Sequence, residues 1–272
     1  MLEAVTSVAA PRPARSSAAR YRSALWLLTK RDLRVRYSTS ALGYLWSIID
    51  PLIMAGIYWF VFTQVFDRGA GKIGEQPYIV FLLAGLLPWM WFNGAVSDST
   101  RAFLREAKLV RSTSIPRTIW VNRLVLSKGI EFIAAIPVLA LFAIVYHAPV
   151  NGYALLFPVG ILLQAVLTTA VGLIVAPAVV FFRDLERATK LLLRFLFYAS
   201  PIVYGITNLP DSIRTIASFN PLAGVMSLYR AAFFPAQLDW FAVGASALVS
   251  LVLLGIGIAL FQRSERSVLK EL

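Results

Sequence analysis

The chain has 272 residues, 58% of them hydrophobic and 15% charged, with 26 lysines and arginines against 14 acids. A mean hydropathy of +0.72 belongs to a polytopic membrane protein rather than a soluble one. With no cysteine, disulfides and thiolate chemistry are excluded, and a single histidine, His147, leaves little for a histidine zinc site or a proton relay.

Residues 1–19 carry Arg12, Arg15 and many alanines and serines without the apolar core of a secretory signal, and read as a disordered cytosolic tail. Over 20–42, Arg20, Arg22, Lys30, Arg31, Arg34 and Arg36 stand among apolar residues. At helical periodicity Tyr21, Leu25, Leu28 and Val35 fall along one stripe, interrupted by Asp32, while Ser23, Lys30, Arg31 and Arg34 gather opposite. Such an amphipathic helix is expected to lie in a membrane interface with its cations near lipid phosphates. An anchor that only orients the protein is the simpler alternative. The charge then disappears: from Gly43 to Phe66 the one charged residue is Asp50.

Apolar runs predict six transmembrane helices at 43–66, 78–98, 124–146, 153–181, 191–207 and 238–261, one transmembrane domain over 43–262 with a cytosolic tail at 263–272. The fifth span is short. Lysine and arginine set the direction: 22 lie in the N-terminal region, the 101–128 and 183–194 segments and the C-terminal tail, and 4 in the alternate loops. Both termini are therefore expected in the cytoplasm, and the pI near 10.3 needs no nucleic-acid partner.

Two connections are too elaborate for simple loops. Residues 99–123 mix apolar side chains with cations, and Pro116 is expected to end a short cytoplasmic helix there. Its candidate partner contacts are Leu109 and Val110, filling an apolar cleft, and Lys108, Arg111 and Arg117, pairing with acids at the rim. Residues 208–237, broken by Pro210, Pro221 and Pro235, hold half-apolar segments at 211–219 and 222–234. Too short to span and too apolar for water, they are expected to form a re-entrant outer pair, with Phe219, Pro221 and Val225 as a candidate gate. A cap that only packs the bundle is the alternative.

No nucleotide site is present: Gly69-Ala70-Gly71-Lys72 lacks the required glycine spacing and the following Ser or Thr. Asp50, Asp98, Glu131 and Arg194 are ionisable residues within apolar spans, and a structural pairing among Asp50, Glu131 and Arg194 is expected rather than a proton path. Tyr58, Phe62 and Phe66 share one face of the first span, with Trp89 on the second and Tyr198 on the fifth. These aromatics are either interfacial anchors or stacking surfaces for sugar rings along a channel. Asp184 and Glu186, flanked by Arg183 and Arg187, read as a solvated turn rather than a metal site.

Further marks follow in order. They are Arg36-Tyr37-Ser38, Leu42-Gly43-Tyr44-Leu45-Trp46, Pro51, Ile115-Pro116-Arg117, Phe182-Arg183-Asp184-Leu185, Ser200-Pro201-Ile202-Val203-Tyr204 and Asn220-Pro221-Leu222. With them residues 20–265 resemble the ABC-2 permeases that export polysaccharides, of the O-antigen (Wzm) and teichoic acid (TagG) types. With 20 arginines to 6 lysines the chain is similar to actinobacterial members, including galactan exporters of mycobacteria. The resemblance implies an all-α half-transporter of the bacterial plasma membrane, working as a homodimer. Two separate nucleotide-binding ATPase subunits would carry ATP and Mg2+, leaving no cofactor in this chain, and the cargo would be a glycan on a polyprenyl diphosphate. It further implies that Arg31, Arg34 and Arg36 guide the lipid diphosphate and that 104–117 dock on the ATPase. A drug or small-lipid exporter of the same superfamily and a polyprenyl-phosphate glycosyltransferase are the alternatives. Dense aromatics and the basic helix argue against the first, and the lack of an acid cluster against the second.

Overall fold

The computed structural model describes residues 17–38, 42–61, 64, 76–113 and 115–272. The described residues form ten α-helices. They are α1 (Ser17–Ser38), α2 (Trp46–Phe60), α3 (Tyr78–Ser99), α4 (Ala107–Ser112), α5 (Ile119–Val145), α6 (Phe157–Phe181), α7 (Leu185–Ala199), α8 (Asp211–Ser218), α9 (Pro221–Ala231) and α10 (Trp240–Glu271).

Among the described residues, four helices are long and apolar enough to cross a membrane: α3, α5, α6 with the 3-10 turn that leads into it, and α10. Helix α3 is central. Val80, Phe81, Leu82 and Leu83 are fully buried at its start and Ala95 and Val96 near its end, so it has almost no outer face. A helix apolar all round is covered by lipid or by protein, and α3 is covered by protein. Here α2, α5, α6, α7 and α9 cover it, and α10 packs along α6.

Several boundaries differ from the predicted spans. Helix α5 begins at Ile119 instead of 124, because Ile119, Trp120 and Val121 are wholly buried and continue the helix directly after the Pro116 turn. The fifth segment is displaced from 191–207 to Leu185–Ala199. Pro201 forces Ser200 into extended backbone (φ −97°, ψ 150°), and the helix stops there. Helix α10 runs unbroken to Glu271, through the residues expected to form a tail. In the first span α2 accounts for Trp46–Phe60, while Phe62 and Phe66 lie outside the described residues.

Helix α1 rests on α5 through Tyr21, Leu25 and Leu28, three of the four residues of the expected stripe. Val35 is 63% exposed, and Asp32, expected to break the stripe, belongs to it. The chain then turns from α1 toward α2 at Gly43, whose φ of 48° lies in the left-handed region that favours glycine.

Candidate functional site

The helix ends that gather α1, α3, α4 and the start of α5 carry an interlocked set of charges. Arg123 on α5, its side chain 4% exposed, donates to Asp32 at 2.7 Å and stands 3.8 Å from Glu106. Arg31 bonds Glu106 and lies 3.5 Å from Asp32. One turn further along α1, Arg36 donates to Asp98 at 2.7 Å and to Glu131 at 2.9 Å, and Lys128 bonds the other Glu131 oxygen at 2.7 Å. Burial lifts the Asp32 carboxyl above the ordinary aspartate range even though Arg123 and Arg31 pull it down. The pair is thus costly to bury and costlier to break. Two cavities adjoin these charges. One, of about 420 Å³, is lined by Arg31, Asp98, Arg101, Arg105, Glu106 and Arg123. The other, of about 330 Å³, lies between Arg36, Asp50, Trp91, Lys128, Glu131 and Phe132.

This geometry separates the three arginines expected to meet a lipid diphosphate. Arg31 and Arg36 are engaged by carboxylates, and Arg34 alone of the three is exposed. Glu131 pairs with Arg36 and Lys128 rather than with Asp50 or Arg194. Among the described residues no group of three or more potential ligands is placed to hold a metal ion.

The coupling segment is likewise sorted by packing. Val110 is 0% exposed inside the chain's own core and Leu109 packs beside it, so these apolar residues fasten α4 to the bundle instead of projecting from it. Lys108, Arg111 and Ser112 are exposed. Arg117 is turned inward, 3.8 Å from Glu265 of α10. The outward surface of α4 is therefore cationic, because its apolar side is already in use.

The aromatics divide in the same manner. Trp89, 6% exposed, meets Phe197 edge-on at 5.5 Å, and Tyr58 stacks on Phe197 at 5.4 Å. Tyr198 is 69% exposed. Trp89→Ala is expected to cost about 3 kcal/mol through the cavity it leaves, whereas Tyr198→Ala should stay within about 0.5 kcal/mol. Thermal unfolding of the solubilised protein measures both, and equal losses would place Tyr198 in the packing. At the foot of α7, Arg101 and Lys190 both donate to the Glu186 carboxylate.

At the other end of the bundle lies a feature that was not among the candidate site residues. Arg230 on α9 is 2% exposed. Its guanidinium donates to the carbonyls of Pro201 (2.6 Å), Tyr204 (2.9 Å), Ile202 and Phe81 (3.4 Å), and lies 3.7 Å over the Phe81 ring. Those acceptors belong mainly to the non-helical stretch that follows α7, whose carbonyls have lost their helical partners. Asn220 caps α9 by accepting from Leu222 N–H at 3.0 Å, and donates to Ser200 Oγ at 2.9 Å. The Ser200-Pro201 and Asn220-Pro221 marks are thus joined in space. Tyr229 donates to Gln164 at 2.9 Å, which in turn donates to the Pro88 carbonyl at 2.7 Å, tying α9 to α6 and α3. Gly224 lies so close to Ala242 and Ser246 of α10 that a Cβ would collide with both. Of the candidate gate residues, Val225 is fully buried, Pro221 half-buried and Phe219 56% exposed, packed edge-on against Phe241 at 5.7 Å. A count of cations per loop could not reveal Arg230; its signal was a lone arginine within an apolar segment, SLYRAAFF.

The profile of the ABC-2 type transporter family matches residues 23–234. An O-antigen export system permease protein, RfbA, of Klebsiella pneumoniae is 32% identical over 240 residues, 88% of this chain and 91% of that protein. The RfbA of Myxococcus xanthus is 31% identical over 245 residues, 89% and 92% of the two chains. The polysialic acid transport protein KpsM of Escherichia coli is 25% identical over 247 residues, 88% and 92%.

Proposed function

Because this chain belongs to the ABC-2 type transporter family, we propose that it is the membrane permease of an exporter for a polysaccharide carried on a polyprenyl diphosphate. The observation that carries this reading is the similarity, over 88% of the chain, to a permease named for O-antigen export. Work would come from a separate ATPase, since the chain offers no phosphate-binding loop.

In this reading the protein is a multi-pass protein of a bacterial plasma membrane with both termini in the cytoplasm. Six segments cross it, with α2 and the amphipathic α7 completed by a second copy of the chain. Two ATPase subunits, bearing ATP and Mg2+, dock on the outward cations of α4. Arg34 meets the lipid diphosphate first, and Arg31 and Arg36 join by exchanging their carboxylates for phosphate. Tyr58, Phe62, Phe66, Trp89 and Tyr198 belong to the channel wall, directly or as the packing behind it. Helices α8 and α9, with Phe219, Pro221 and Val225, close the outer end.

Depletion in the parent bacterium tests the function: a lipid-linked glycan should accumulate on the cytoplasmic side, and an unchanged envelope polysaccharide would refute it. Complementation of the depleted strain then tests the parts. Charge reversal of Lys108 and Arg111 to glutamate should reduce ATPase co-purification and export by about tenfold, since opposed rim charges steer and orient docking. Full recovery by that variant would remove α4 from the interface. Full recovery by Arg34→Gln would reduce α1 to an anchor.

A further inference from the structure

Helix α7 presents three distinct faces. Leu193 and Phe197 are buried against the bundle. Beside them Arg187, Lys190, Arg194 and Tyr198 fall within an arc of about 80° at 3.6 residues per turn, and all four are exposed. Next to that row Leu191, Leu192 and Phe195 are exposed as well, at 63%, 56% and 67%. Lys190 pairs with Glu186 at 2.6 Å within the same helix. Among the described residues no carboxylate lies within ion-pairing distance of Arg187 or Arg194. This sets them apart from Arg31 and Arg36 on α1, which are already held by acids.

Arg194 stands inside the apolar run LLLRFLFYA. Facing hydrocarbon it would cost about 2.5–3.5 kcal/mol, so an exposed arginine here belongs against a hydrated path. It lies about 10 Å further along the helix than Arg187, about a third of the hydrocarbon thickness. The phosphate of a resident bilayer lipid stays at the headgroup level and has no reason to be met there. A phosphate in transit would be. Successive cations three and four residues apart are about 4.5 and 6 Å apart in rise, so an anion could advance without leaving the reach of one before meeting the next. Several moderate sites in series also suit passage better than one tight site, because the anion must leave as well as arrive.

We infer that the Arg187-Lys190-Arg194 row of α7 is a stepped binding track for the diphosphate head of an amphiphilic substrate, with the Leu191–Phe195 side receiving its apolar chain. This rests on the substrate class given under the proposed function and assigns it to residues for which the sequence suggested other roles, Arg194 in a structural pairing and Arg187 beside a solvated turn. Arginine suits the task because its planar fork makes paired, charge-assisted hydrogen bonds to phosphate oxygens.

The test uses the permease–ATPase complex in phosphatidylcholine nanodiscs, with labelled undecaprenyl diphosphate as the probe. Arg187→Gln/Arg194→Gln should weaken binding at least about tenfold, and Arg187→Lys/Arg194→Lys by less than about threefold. Arg266→Gln, an exposed cation on α10, should bind as the native complex does. Gel filtration of each assembled complex confirms that the exposed substitutions leave it intact. Unchanged affinity in the double glutamine variant would overturn the track alone. Equal displacement of the probe by dioleoylphosphatidylglycerol would also overturn it, making the row a contact for anionic bilayer lipid. A native complex that binds no undecaprenyl diphosphate would overturn both the track and the substrate class on which it rests.

Discussion

Arg230→Leu is expected to abolish the folded permease, costing at least about 3 kcal/mol, the range of mutations that leave buried polar groups unsatisfied. The guanidinium fork serves the carbonyls of Pro201, Ile202 and Tyr204, which no helix satisfies, and leucine would leave those of Pro201 and Ile202 buried without this donor. Each lost partner carries a penalty of about 1–3 kcal/mol where water cannot enter. Gly85 sets the tolerance of the site, since a Cβ there would stand 2.8 Å from Arg230 Nη2 and 3.0 Å from the Ile202 carbonyl. Arg230→Lys should recover less than half of the loss, because one ammonium on a single stem cannot span acceptors spread around a planar fork. Thermal unfolding of the solubilised protein gives the magnitude. Thiol labelling of Val225→Cys gives the location: the cysteine should be protected in the resting native background and reactive when Arg230 is replaced. Reactivity gained during ATP turnover would bear on α8 and α9 as a gate. An Arg230→Leu protein with an unfolding midpoint within about 2 °C of the native one would show that water satisfies these carbonyls instead.

The second large effect concerns the seat of α1. Asp32→Ala should destabilise the protein by about 3 kcal/mol and release residues 17–38 from α5. Among the described residues Arg123 would keep the Trp120 ring and one carboxylate, Glu106 at 3.8 Å, for a guanidinium whose side chain is 4% exposed. The loss therefore comes from the charge left behind more than from the bond removed. For that reason Asp32→Leu combined with Arg123→Met should be more stable than Asp32→Ala alone, by about 1 kcal/mol or more. Arg34→Gln, at an exposed position of the same helix, should change stability by less than about 0.5 kcal/mol. Amide hydrogen exchange over α1 reads the detachment. Unaltered protection in Asp32→Ala would mean that Tyr21, Leu25 and Leu28 hold the helix without help from the ion pairs.

The sequence by itself determined the class of protein, the all-helical fold and the family resemblance. It did so because apolar length, helical periodicity and the grouping of arginines and lysines are local quantities, and a membrane admits few ways to satisfy the backbone of such segments. It also located the break at Pro221, which opens α9, since proline acts on its own turn, whereas α4 already stops at Ser112, four residues before Pro116. What each side chain faces was decided only by the tertiary structure. Val110 and Arg111 are neighbours in the sequence, yet one fills the core and the other faces outward. Asp32 read as a flaw in an apolar stripe because its matching Arg123 lies 91 residues away. Arg31 and Arg36 read as free cations for the same reason, their acids being supplied by residues 98, 106 and 131. Arg230 read as one more loop charge until the carbonyls released at Pro201 were brought to it. The strength of a charge or a polar group inside a protein depends on burial and on partners distant in sequence, and neither exists before the helices pack.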